Sequence, residues 1–151
     1  MPRGGVVTCS RVMDLETARL HIQTCLERMR AAYLQPVFDE WAILALPAKS
    51  AGVVAYQGPR PEAFRQSLAA DAEPLRARAA GKKFAEGDLE FVADAAGTRY
   101  DAFMKIGETS YLVLNHTKRT LQEIRADAKW LGAQAILFEL SEKFRADPLV
   151  A

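Results

Sequence analysis

The run Tyr111-Leu112-Val113-Leu114 constrains the fold of this chain more than any other feature. A strand with one face in water alternates apolar and polar residues, whereas four apolar residues in succession mark a strand covered on both faces. The run is short and bounded. Gly107-Glu108-Thr109 precedes it as a tight hairpin connection, and Asn115-His116-Thr117 follows it as the exit. Such a strand belongs in the middle of a sheet that carries helices on both sides.

The flanking segments supply those layers. Asp14 is placed to cap a helix in which Leu15, Ala18, Ile22, Cys25, Leu26, Met29 and Tyr33 recur at spacings of three and four, and Pro36 stops it near Leu34. WAILAL (41–46) and GVVAYQG (52–58) read as two short strands joined by a turn at PAKSA. Pro61 suits the first turn of a helix through Phe64 and Leu68, with a break and restart expected at Asp71 and Pro74 and a stop at Gly81. DLEFVAD (88–94) puts Leu89, Phe91 and Ala93 on one face and Glu90, Val92 and Asp94 on the other. After an Ala96-Gly97 turn, TRYDAFMKI (98–106) sets Tyr100, Ala102, Met104 and Ile106 opposite Arg99, Asp101, Phe103 and Lys105. Thr120 with Glu123 has capping-box spacing and opens one long final helix, with Leu121, Ile124, Ala128, Leu131, Ala135 and Phe138 as its buried stripe and Ile136, Leu137, Leu140 and Phe144 widening it later. Gly132 inside it marks a bend or a close packing contact, and Pro148 ends the ordered chain. The fold class is therefore α+β, in the order α-β-β-α-β-β-β-α. The domain division is a lead-in at 1–13, a single domain at 14–147 and a tail at 148–151.

A chain of 151 residues, half hydrophobic and with a net charge of +1, has the composition of one globular domain and no global attraction to nucleic acid or to an anionic membrane. No apolar run approaches the roughly 18–20 residues that span a bilayer, and the opening residues do not form a signal peptide, so the expected location is cytoplasmic. Cys9 and Cys25 fit no metal spacing, and His21 and His116 form no ligand pair, so no metal or cofactor is expected. His116 lacks a nucleophile or orienting carboxylate in the pattern and reads as a strand-end histidine in an ordinary surface or capping role. Neither GGVV at 4–7 nor AGKKF at 80–84 is a phosphate-binding loop, and the sequon at Asn115-His116-Thr117 is discounted for a cytosolic chain. The basic group Arg76, Arg78, Lys82 and Lys83 reads as a solvated helix end. With no acid–base pair to nominate, no catalytic residue is assigned. The segment 88–94 opens the last group of three strands and is expected at a sheet edge, where an apolar alternating strand needs a cover.

The element order, together with AFMKIGETSYLVLNHT (102–117) running into the capped helix and the hairpin WAILALPAKSAGVVAYQG followed by a helix, resembles the Roadblock-type dynein light chain family over roughly residues 14–145. The chain departs from it in its Pro-interrupted basic middle segment, its long last helix and its PAKSAG turn. The resemblance implies a profilin-like five-stranded antiparallel sheet with the first and last helices on one face and the middle helix on the other. It also implies a non-catalytic homodimer acting as an adaptor or as a regulator of a Ras-like small GTPase. Carried onto these residues, the dimer interface would use Leu89, Phe91, Ala93, Phe64 and Leu68. The alternative reading is a PAS-like or GAF-like small-molecule sensor, with Tyr56, Tyr100 and His116 as the polar groups of its pocket.

Overall fold

The computed structural model describes residues 13–46, 52–80, 84–93 and 100–150. The lead-in at 1–12 with Cys9, the PAKSA turn at 47–51, Gly81, Lys82, Lys83, Asp94 and the Ala96-Gly97 turn lie outside the described residues. Helix α1 (Leu15–Tyr33) is followed by strands β1 (Glu40–Ala45) and β2 (Gly52–Gln57), helix α2 (Pro61–Ala80) and strands β3 (Leu89–Ala93), β4 (Tyr100–Lys105) and β5 (Ser110–Asn115). Helices α3 (Leu121–Arg125) and α4 (Trp130–Ala146) complete the order. The five strands form one antiparallel sheet in the order β2-β1-β5-β4-β3. The Tyr111–Leu114 run thus lies in the central strand, and all six residues of β5 are buried.

Two apolar layers flank the sheet. On one face Trp41, Ile43, Ala102, Met104, Leu112 and Leu114 pack with Ile22, Met29 and Tyr33 of α1, Ile124 of α3 and Leu137, Leu140 and Phe144 of α4. On the other, Ala42, Leu44, Val92, Phe103 and Val113 pack with Phe64, Leu68 and Leu75 of α2. There Phe84, Phe103 and Tyr111 stack with their planes within 8° of parallel. Each successive residue of a strand therefore faces the opposite layer, as the pleat requires.

Several boundaries follow the expected signals. The Asp14 carboxylate accepts the Thr17 N–H at 2.8 Å, which holds its pKa below the ordinary carboxylate value. Leu34, at φ 69°, closes α1 in a left-handed turn and donates its N–H to the Arg30 carbonyl. Thr120 and Glu123 form a reciprocal capping box.

Three expectations are corrected. Helix α2 runs unbroken through Pro74, without the break and restart read at Asp71 and Pro74. Phe64, Leu68 and Leu75 lie at i, i+4 and i+11, so their burial against one sheet favours a single continuous helix over the local cost of a proline, about 3 kcal/mol. The long final helix is two helices. The Asp127 carboxylate turns back to accept the Lys129 N–H at 2.9 Å, while the Tyr33 hydroxyl donates to the Ile124 carbonyl at 3.2 Å, and together they end α3 and restart the chain at Trp130. The restart changes the helical phase. Leu137, Leu140 and Phe144 are buried as expected and Trp130 and Ala133 join them, whereas Leu131 (74% exposed) and Phe138 (48% exposed), read as core, turn outward. At Gly132 in α4 an added Cβ would stand 3.8 Å from that of Ala32 in α1, an ordinary packing contact.

The third correction concerns the chain after Pro148. Leu149 is 3% exposed and bridges in parallel to both Met13 and Gly107. Its N–H donates to the Ile106 carbonyl at 2.6 Å, and the Met13 N–H and carbonyl bond to Pro148 and Val150. A side chain at residue 107 would run into the Leu149 carbonyl, so this close backbone approach requires glycine there.

Candidate functional site

Strand β3 forms one edge of the sheet, as expected for the segment 88–94, and pairs with β4 in the register Leu89↔Met104, Phe91↔Ala102, Ala93↔Tyr100. Its alternation divides it between the layers. Leu89 and Phe91 are half-buried against the α1–α4 layer, where the Arg125 guanidinium of α3 sits over the Phe91 ring, 4.9 Å from its centroid. That placement sets a cation on the negative face of the aromatic ring. Val92 is buried with the α2 layer, and Ala93 is placed in the strand by its backbone.

The five residues assigned to the dimer interface do not share one surface. Phe64 and Leu68 are 5% and 8% exposed and point into the sheet beneath α2, on the face opposite Leu89 and Phe91. Their spacing marked them as an apolar helical face, which the protein spends on its own core. What the structure keeps together is part of the edge: Leu89 and Phe91 on one side of β3, with Glu90 and Val92 on the other.

At the far end of the sheet lies a polar cluster that the sequence did not announce. Glu40 begins β1 and is fully buried, on the α2 face opposite Asn115 of β5. One carboxylate oxygen accepts from Arg60 Nη2 at 2.9 Å and the other from the Tyr56 hydroxyl at 2.5 Å. The Tyr56 oxygen also accepts the Arg60 N–H at 3.1 Å, and the Arg60 carbonyl takes the Phe64 N–H in the first turn of α2. Burial and then the bond to Glu40 push the Tyr56 hydroxyl up to about 12. Gly58 crosses directly above: a Cβ there would stand 2.6 Å from the Tyr56 hydroxyl. The cluster therefore ties the β2–α2 connection to β1. A lone glutamate before a tryptophan carried no sign of this, since its partners arrive 16 and 20 residues later.

The remaining polar candidates serve the backbone. His116 Nδ1 accepts the N–H groups of Lys118 and Arg119 at 3.1 and 3.2 Å, the capping role read for it. Asp39 holds the same turn from the other side, accepting the Thr117 N–H at 2.8 Å and its hydroxyl at 2.7 Å. His21 lies half-buried on α1. In the basic segment Arg76 pairs with Glu73 at 2.7 Å within α2, and Arg78 is placed in the same helix by its backbone. Burial pushes the Cys25 thiol up to about 12, so it stays protonated and unreactive at neutral pH. Among the described residues no group of three or more His, Cys, Asp or Glu side chains is placed to hold a metal ion. No described helix is long and apolar enough to cross a membrane. On the outer side of α4, Ala135, Phe138, Glu139, Glu142 and Ala146 line an open groove.

No family model, no curated protein and no solved structure matches the chain.

Proposed function

We propose that this protein is a non-catalytic, dimeric interaction module of the Roadblock-like kind, serving as an adaptor or as a regulator of a Ras-like small GTPase. The observation that carries the reading is the edge position of β3. An apolar alternating strand at a sheet edge is a template for a further strand, and a symmetric second copy covers it with no additional gene product. The layering supports the reading as well, since α1 and α4 lie on one face and α2 on the other, as the resemblance implies.

Two of the three polar groups read for a ligand sensor are engaged internally. Tyr56 bonds Glu40 and Arg60, and His116 bonds two backbone amides. On the α2 face, Phe84, Phe103 and Tyr111 stack on one another within the apolar layer. These features favour the interaction module over the sensor.

Native mass spectrometry and sedimentation test the proposal. A dimer without bound small molecule is expected, and Phe91→Glu should return it to monomer. The fold should survive, because Phe91 is half-buried and Arg125 stands ready to pair with the new carboxylate. A monomer at high micromolar concentration, or a stoichiometric co-purified ligand, would overturn it.

A further inference from the structure

We infer that residues 1–12 of this chain dock along the outer groove of α4, with Arg11 paired to Asp147 and Val7 seated on Phe138.

The groove offers an apolar floor and one unanswered acid. Phe138, half exposed, stands in it between Ala135 and Ala146. Of the acids along its wall, Glu139 pairs with Arg28 at 2.8 Å and Glu142 with Arg145 at 3.1 Å. Asp147 closes the end of the groove. Its Oδ1 is shut off from water and has no hydrogen-bond partner among the described residues. A buried carboxylate oxygen is costly to leave unpaired, so this position calls for a cationic donor.

The entry of the chain brings one there. Met13 bridges Leu149 in parallel: its N–H donates to the Pro148 carbonyl at 2.8 Å, and its carbonyl accepts the Val150 N–H at 3.0 Å. Parallel strands keep step, so the residue two before Met13 stands opposite the residue two before Leu149. Those residues are Arg11 and Asp147.

Carried further in the same direction, the register brings the apolar residues together. From Arg11 back to Val7 an extended chain covers about 13 Å, at roughly 3.3 Å per residue. From Asp147 back to Phe138 the helix covers about 13.5 Å, at roughly 1.5 Å per residue. Val7 therefore arrives level with Phe138, with Val6 beside it. Cys9, about 7 Å from Arg11, comes level with Lys143, about 6 Å from Asp147. The charges agree with this placement. Residues 1–12 hold Arg3 and Arg11 and no acid, whereas the groove wall holds Glu139, Glu142 and Asp147 against Lys143.

The native Cys9 reads the docking directly. In a Cys25→Ala background, Lys143→Cys puts a second thiol on the groove wall, and Leu20→Cys puts one on the exposed side of α1, a similar distance along the chain from the Met13–Leu149 bridge. Both proteins would be oxidised at low concentration, and the disulfide within one chain followed by mass and by gel mobility without reductant. Cys9 is expected to join the Lys143→Cys position about tenfold or more faster than the Leu20→Cys position, because docking raises the local concentration of the two thiols. Arg11→Glu should remove that advantage, and adding Asp147→Arg should restore it. Restoration by the swapped pair separates the ion pair from a general loss of folding. Equal rates at the two positions overturn the docking. A disulfide that joins two copies in place of one within a chain assigns the groove to a second copy and overturns it as well. An advantage that survives Arg11→Glu overturns the Arg11–Asp147 pair.

Discussion

Replacing Glu40 by glutamine should destabilise this protein more than any other single-atom change on the α2 face. The glutamate side chain is fully shielded from water, and both its oxygens accept bonds, one from Arg60 and one from Tyr56. Hydrogen bonds to a charged group contribute about 1.5–3 kcal/mol each, which sets a gross loss of about 3–6 kcal/mol. The Arg60 side chain is 34% exposed, so it recovers water when the carboxylate is removed, and the amide still accepts one bond. Discounting for that hydration leaves about 2–3 kcal/mol, or roughly 5–10 °C in melting temperature for a chain of this size. Urea titrations of Glu40→Gln, Arg60→Gln and the double variant measure it. Arg60→Gln strands the buried carboxylate, whereas the double change removes it as well, so the double variant should cost about 1–2 kcal/mol less than the sum. A loss below about 0.5 kcal/mol for Glu40→Gln, or additive single effects, would refute the claim that this ion pair fastens α2 to β1.

Other outcomes follow from the same structure. Leu149→Ala should lower stability by about 2–4 kcal/mol in urea unfolding, as a buried core leucine would and a trailing tail would not. The protein should also weaken at high pH. Cys25 and Tyr56 both have folded pKa values raised to about 12, from ordinary values of 9.0 and 10.0. The folded state therefore holds those protons more tightly, and stability present below pH 9 is lost as pH rises from 9 toward 12. Urea midpoints across that range should fall less steeply in Cys25→Ala. In the intact protein Cys25 should react with a thiol reagent only as fast as the fold opens.

Local chemistry wrote the parts of this fold that the sequence made legible. Asp14, Thr120 and Glu123 cap through their own side chains, β3 and β4 alternate cleanly, and the unbroken Tyr111–Leu114 run marks the one strand with a helix layer on each side. The parts that were not legible are decided by distant partners. Pro74 is a helix breaker by every local rule, yet the sheet beneath Phe64, Leu68 and Leu75 holds α2 together. Asp127 did carry a signal, since a cap-type residue stood in the middle of an apolar stripe. Reading it would have split the last helix and placed Leu131 and Phe138 outside the core. The edge position of β3 was legible from its place before the last two strands. The confinement of Phe64 and Leu68 to the interior was not, because an apolar helical face looks alike whether it meets its own sheet or another molecule.

The bridges from Leu149 to Met13 and Gly107 carry a topological consequence. The Val150 N–H lies 3.0 Å from the Met13 carbonyl, so the described chain returns to its own starting point and forms a nearly closed circuit. A short linker between residues 13 and 150 would complete the ring, and new termini could then be opened at a surface turn. Force applied between those two positions would load the few backbone bonds of the closure before any strand of the sheet. The closure would open first, leaving α1 and α4 still packed across the sheet as a folded remainder.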